Sequence, residues 1–204
     1  MNMFAFMANS SLREYTHGFV LAPMAGSTDS AFRRICRRMG ATAVVTEMVA
    51  AAGLSRKSVK SHKLLRYSPE EKPIGVQLFG KRPEDFERAA ELVSKLGFDF
   101  IDINAGCPVK KVVNSGSGSA LLKDIPKLTA VLRAVVSHTN LPVTVKIRVG
   151  WSPQEPVPDS FPALLADEGA AAVAVQGRYR SDMFSGEVRK LEIEQIVRKF
   201  TDPD

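Results

Sequence analysis

Six short apolar runs, each followed by a polar or amphipathic stretch, constrain this chain more than any other feature. The runs are "GFVLAP" (18–23), "ATAVVTEM" (41–48), "KPIGVQLFG" (72–80), "FDFIDINAG" (98–106), "LPVTVKIRVG" (141–150) and "AAVAVQGR" (171–178). They are near-continuously apolar rather than alternating, as expected of strands buried on both faces of a parallel sheet. Between them lie helical patterns. "TDSAFRRICRRMG" has a Thr28/Asp29 cap, a face of Phe32, Ile35, Cys36 and Met39, and Gly40 as its stop. "RPEDFERAAELVSKLG" begins with Pro83 and aligns Phe86, Ala89, Ala90, Val93 and Leu96. "IPKLTAVLRAVVSHT" turns Leu128, Val131, Leu132, Val135 and Val136 inward, "DSFPALLADEGA" makes a short helix, and "VRKLEIEQIVRKF" makes the last one. Strand and helix in strict alternation predict an α/β fold.

No GxGxxG follows the first strand, so a dinucleotide-binding sheet is not indicated. Polar and unusual residues gather instead at strand ends: Met24, Gln77, Asn104, Cys107, Lys146, Arg148, Gln176 and Arg178. A site assembled from the ends of several strands predicts a TIM-type (β/α)8 barrel with its chemistry at the C-terminal face. About six βα units are present, so the expected barrel is incomplete. Its first and sixth strands would have bare edges, which a partner chain completing the barrel could cover. Residues 1–17 read as an N-terminal lead and 18–204 as a partial barrel domain.

The composition is that of a globular protein: 204 residues, 45% hydrophobic and 25% charged. No run approaches the ~18 apolar residues of a membrane span. Met1–Ser10 has no positive n-region and no cleavage site, so no signal peptide is expected. Two cysteines, Cys36 and Cys107, make no disulfide framework and fit a reducing cytoplasm. The net charge of +6 permits a polyanionic partner such as RNA without requiring one.

Each strand-end residue has two readings. Cys107 stands where a strand stops, between Gly106 and Pro108; spacing alone leaves a small buried apolar residue and a reactive thiol equally open. Lys146, facing into a barrel, needs an anionic neighbour or must reach the mouth. Gln77 can donate and accept toward a ligand, or cap loop backbone. "APMAG" after the first strand is a ligand contact or a tight turn. Lys110, Lys111 and "NSGSGS" form either a phosphate contact or a solvated loop. Cys36, on the apolar helix face, is expected in the core, and "RRICRR" (33–38) is expected to be a solvated helix face. "WSPQEPVPDSFP" (151–162), with four prolines, is expected to be a stiffened loop.

"LAPMAGSTDSAFR", "VQLFG", "DINAGCPVKKVVNSGSGSALL", "VKIRVGW" and "GRYRSDMFSG" occur in the order and spacing of the tRNA-dihydrouridine synthases, which the chain resembles from about residue 18 to 188. "NAGCP" with the later "GSGSALL" is the specific part. The resemblance implies FMN-dependent reduction of a tRNA uridine, with NADPH (or NADH) as reductant and tRNA as partner. It makes Cys107 the general acid. This is chemically coherent: hydride reaches C6 of uracil, C5 then needs a proton, and an ordinary thiol with a pKa of about 8.5 is protonated at neutral pH. His17, His62 and His138 lie away from every motif, so a nucleophilic cysteine would have no base. The resemblance also places Pro23, Met24, Ala25, Gln77, Lys146 and Gln176 on the cofactor, with Lys146 at the flavin N1/O2 edge. It places Asn104, Lys110, Lys111, Arg148 and Arg178 toward the substrate, Asn104 holding the uracil edge or the flavin. No metal is implied.

Two positions depart from the family pattern. Gln176 stands where histidine is usual, which keeps hydrogen bonding but loses charge, and Tyr179 stands where threonine is usual. The family's flavin-phosphate loops, after strands seven and eight, and its C-terminal helical tRNA-binding domain are expected to be absent from this sequence. Two other functions stand beside the synthase: an FMN-barrel reductase of a small molecule, of dihydroorotate or enoate type, and a non-catalytic remnant. The basic loop after "NAGCP" argues against the first.

Overall fold

The computed structural model describes residues 4–8, 12 and 18–201. Its strands are β1 (Phe4–Ala8), β2 (Val20–Leu21), β3 (Ala43–Val45), β4 (Val49–Ala50), β5 (Ile74–Phe79), β6 (Phe100–Ala105), β7 (Val143–Arg148), β8 (Gly150–Ser152), β9 (Glu155–Pro156) and β10 (Ala172–Gln176). The main sheet runs β1-β10-β7-β6-β5-β3-β2, with β4 also on β5. All pairings from β2 to β10 in that sheet are parallel. The curled sheet of six parallel strand positions, with helices outside, is the expected incomplete (β/α)8 barrel.

Residue parity divides each strand between two environments. On β6 and β7, Ile101, Ile103, Ala105, Val143, Val145 and Ile147 face outward into the main core. The helix Pro83–Ser94 covers them with Phe86, Ala89, Ala90 and Val93, and the helix Ile125–Val136 with Leu128, Val131, Leu132 and Val135. Pro83 is the first helical residue, as its missing N–H allows. Leu96 lies beyond the end of its helix and is exposed, contrary to expectation.

The other parity lines the lumen. At its floor, Phe100, Ala43, Val45 and Ala172 pack with Leu12 as a separate apolar cluster. Gly75 makes room for that floor: a Cβ there would come 2.2 Å from the Phe100 ring. Above the floor the lumen turns polar.

Three features differ from the sequence reading. The helix Ser30–Arg38 has the predicted Asp29 cap, which accepts from Phe32 N–H at 2.9 Å, and Gly40 follows at φ +97°. The helix is rolled, however, so that Phe32, Ile35 and Met39 are exposed, Met39 by 82%. The supposedly solvated run instead buries Arg33. Its guanidinium meets Glu71 at 2.6 Å and the carbonyls of Thr28 and Arg66 at 2.7 and 3.0 Å. A buried ion pair tolerates little displacement, because each charge left alone would be costly. This anchor sets the roll, while Cys36 stays half-buried against the core. Second, the edge of the sixth barrel strand is covered: β1, from the lead, pairs antiparallel with β10, Phe4 opposite Gln176 and Ala8 opposite Ala172. Third, the proline-rich loop contains the β8–β9 hairpin.

Candidate functional site

Along the lumen, cross-strand pairing stacks inward residues in tiers. Gln77, Asp102 and Thr144 are aligned in one, and Asn104, Lys146 and Ala174 in the next. Arg148 and Gln176 lie above, at the C-terminal ends of β7 and β10. Barrel interiors are ordinarily filled by branched apolar side chains. A polar lumen must therefore satisfy its own hydrogen bonds, and this one does so as a chain. Thr144 Oγ1 donates to Asp102 Oδ1 at 2.5 Å, and Gln77 Nε2 donates to Asp102 Oδ2 at 2.6 Å. Asn104 Nδ2 donates to Gln77 Oε1 at 2.8 Å. Asn104 Oδ1 then accepts from the backbone N–H groups of Gly106 and Cys107, at 3.1 and 2.9 Å.

That last pair positions the cysteine. Cys107 is half-buried just past the end of β6, and its carbonyl accepts from Ser119 N–H at 3.0 Å. Gly118, in the "GSGSALL" segment, has φ +62°, and a Cβ there would lie 2.7 Å from the Cys107 carbonyl oxygen. This glycine is needed for close approach to the chain's own cysteine loop.

Arg148 is 1% exposed, donating from Nε to the Gly106 carbonyl and from Nη1 to the Tyr179 carbonyl, both at 2.8 Å. It ties the cysteine loop to the loop after β10. Lys146 Nζ faces Gln176 Oε1 at 3.4 Å. Burial draws the Lys146 ammonium down to about 8; Asp102, and negative charge on the Cys107 sulfur, oppose that, and Arg148 adds to it. Burial likewise draws Arg148 down to about 10, again opposed by Cys107. Cys107 is thus close enough to bear on both cations. Burial pushes the Asp102 carboxyl up to about 6, against the pull of Thr144, Gln77 and Lys146.

The structure therefore brings together Gln77, Asn104, Cys107, Lys146, Arg148 and Gln176. Pro23 leads from β2 into a turn at the same end of the parallel sheet, where the Met24 carbonyl accepts from the N–H groups of Ser27 and Thr28 and Ala25 is the first turn residue. Met24 and Ala25 are exposed, and the turn is tied down by Gly26 N–H to Glu47. Lys110 and Lys111 are exposed at the start of the helix Lys110–Asn114, one turn of chain from Cys107. Arg178 is half-buried and spends its guanidinium on the carbonyls of Phe184 and Gly186, both at 3.1 Å. His62 and His138 bond helix carbonyls of Ser58 and Ala134, away from this cluster, while His17 lies outside the described residues. Sequence reading missed Asp102 and Thr144. The signal was parity: Asp102 is two residues before Asn104 and Thr144 two before Lys146, each on the same strand face.

Among the described residues no helix is long and apolar enough to cross a membrane. Comparison with known proteins gives a consistent match. The family model described as "Dihydrouridine synthase (Dus)" matches residues 20–202. The chain is similar to tRNA-dihydrouridine synthase B of Pseudomonas aeruginosa, 42% identical over 184 residues, which is 90% of this chain and 55% of the relative. It is similar to the enzyme of the same name from Pseudomonas syringae pv. tomato, 40% identical over 187 residues, 92% of this chain and 56% of the relative. It also resembles a probable tRNA-dihydrouridine synthase of Rickettsia conorii, 39% identical over 176 residues, 85% and 53% of the two chains. The chain spans about half the length of the curated relatives it matches.

Proposed function

The chain belongs to the dihydrouridine synthase family, and on that premise we propose that it forms the catalytic-barrel portion of an enzyme reducing uridine in tRNA to 5,6-dihydrouridine. The observation that carries the reading is the placement of Cys107. Its backbone is pinned by Asn104, and it lies at the mouth of a polar lumen close to Lys146 and Arg148.

The lumen residues suit a flavin. Lys146 is a buried ammonium whose charge the Asp102 carboxylate offsets only in part and which faces the Gln176 oxygen. An anionic ring edge beside it would relieve that cost. Gln176 and the Pro23–Ala25 segment would complete the contacts, and Gln77 would support them from below. Flavin mononucleotide, reduced by NADPH or NADH, would supply the hydride for C6 of the uracil.

The chain's own residues handle the proton. Cys107 holds it on Sγ; as C5 takes it, the S–H bond breaks and the charge is left on sulfur. Lys146 and Arg148 are the cations near enough to attract that charge. Water at the mouth returns a proton before the next turnover. A stacked uracil does not expose its C5–C6 bond, so the base must leave the stack to enter the lumen. Lys110 and Lys111, exposed beside the cysteine loop, would meet the neighbouring phosphates.

The test is Cys107→Ala. With unmodified tRNA, FMN and NADPH, the variant should lose dihydrouridine formation by about 10²–10⁴-fold, as for removal of a positioned proton donor. NADPH oxidation by the bound flavin should persist. Undiminished dihydrouridine formation would contradict the role.

A further inference from the structure

Asp102 lies mid-strand on β6, 3% exposed and well below the mouth. Its position in the hydrogen-bond chain has a directional consequence. An ionised carboxylate only accepts, whereas a carboxamide has one end of each kind. Because Gln77 must offer Nε2 to Asp102, its Oε1 is left to face Asn104. Asn104 must then offer Nδ2 to Gln77, leaving Oδ1 for the N–H groups of Gly106 and Cys107. Reversed, the chain would point an Asn104 NH₂ group at two backbone donors.

We propose that Asp102 is a positioning residue: its acceptor-only carboxylate sets the orientation of the Gln77 and Asn104 amides, and through them holds the backbone of Cys107. The consequence for turnover rests on the reading of Cys107 as proton donor. The positioning does not, and it is measured on the full chain without flavin or RNA, so the two can fail separately.

Asp102→Asn is nearly isosteric and replaces the anion by a group that can face Gln77 with either end. Hydrogen exchange of the Gly106 and Cys107 amides, read by NMR at pH 7, should quicken about tenfold or more, while amides of the outer helices hold. Adding Gln77→Glu restores an acceptor-only group one place along the chain. The carboxylate introduced at position 77 must accept both from the new carboxamide at position 102 and from Asn104, so the double variant should return exchange to within about threefold of the parent. Loss of a merely space-filling or stabilising Asp102 would not be rescued this way. Unchanged exchange in Asp102→Asn, or quickening that Gln77→Glu leaves in place, would overturn the proposal.

A second measurement needs no variant. As the unaltered protein is acidified, the Asp102 carboxyl carbon and the Gly106 and Cys107 amide signals should move through one common midpoint. The charged side chain bearing on Asp102 is Lys146 on β7, which remains an ammonium throughout; β5 faces it with neutral Gln77. Loop amides indifferent to titration of Asp102 would overturn the proposal as well.

Discussion

The outward and inward faces of β5, β6 and β7 belong to the same strands yet obey different rules. Outward, Ile101, Ile103, Val143 and Val145 are wholly or nearly buried among helix side chains that need only the right volume. Inward, Asp102, Asn104, Thr144 and Lys146 are one residue away along each strand, and their value depends on which atom donates to which. A defect outside leaves a cavity and lowers stability. A defect inside leaves a donor facing a donor, and its effect travels along the chain to Cys107.

The largest effect should come from the outer face. Phe86→Ala empties a fully buried site under the sheet and should cost about 3–5 kcal/mol in urea unfolding. The folded fraction should retain the parent environment of Cys107, seen in the amide signals of its loop. Altered loop signals would mean that the two faces are coupled. A sharper contrast uses adjacent residues of β7. Val145→Thr places a hydroxyl in the apolar core and should cost about 1–3 kcal/mol with no change at the mouth. Thr144→Val removes one of the two acceptor partnerships of Asp102, should cost about 1–3 kcal/mol, and should raise the Asp102 titration midpoint. Equal behaviour of the pair would erase the distinction between the faces.

The smallest effect is one of pH. The folded carboxyl of Asp102 titrates near 6, above its ordinary value, chiefly because of burial. The folded protein therefore holds a proton that the unfolded chain has released, and stability should fall as pH rises from about 4 to about 6. Lys146 has the opposite sign. Burial draws it to about 8, so the unfolded chain holds the extra proton, and stability should recover as pH rises from about 8 toward 10. Urea midpoints across this range should dip near neutrality in the parent, and Asp102→Asn should remove the acid-side decline. A flat parent profile would mean that the pair lies in a wetter lumen than its burial implies.

Much of this was legible in the sequence because the two periods are strong. Near-continuous apolar runs mark the parallel strands, and 3.6-residue spacing marks the two covering helices, down to Pro83 and Phe86. The strand-end cluster was legible because Gln77, Asn104, Lys146 and Arg148 are out of place in apolar runs. The roll of the Ser30–Arg38 helix was not legible. Its apolar residues and its arginines both form plausible faces, and the outcome turned on Glu71, 38 residues from Arg33, reaching back to pair with it. The pairing of β1 was hidden for a similar reason: a mildly apolar lead gives no local sign of which sheet edge it will meet. Sequence reading passes over Asp102 although it lies at the same depth as Gln77, its register partner on β5, which the structure also places mid-strand rather than at a strand end. Read by parity, "IDIN" already puts Asp102 and Asn104 on one face.

The central claim is that Lys146 makes this lumen a flavin site beside Cys107. The most direct measurement is a titration of the purified chain with FMN, followed by flavin fluorescence, in parallel with Lys146→Met. The account predicts saturable quenching in the parent and at least about tenfold weaker binding in the variant, equivalent to about 1.4 kcal/mol. Equal binding by both, or no binding by the folded parent, would contradict it.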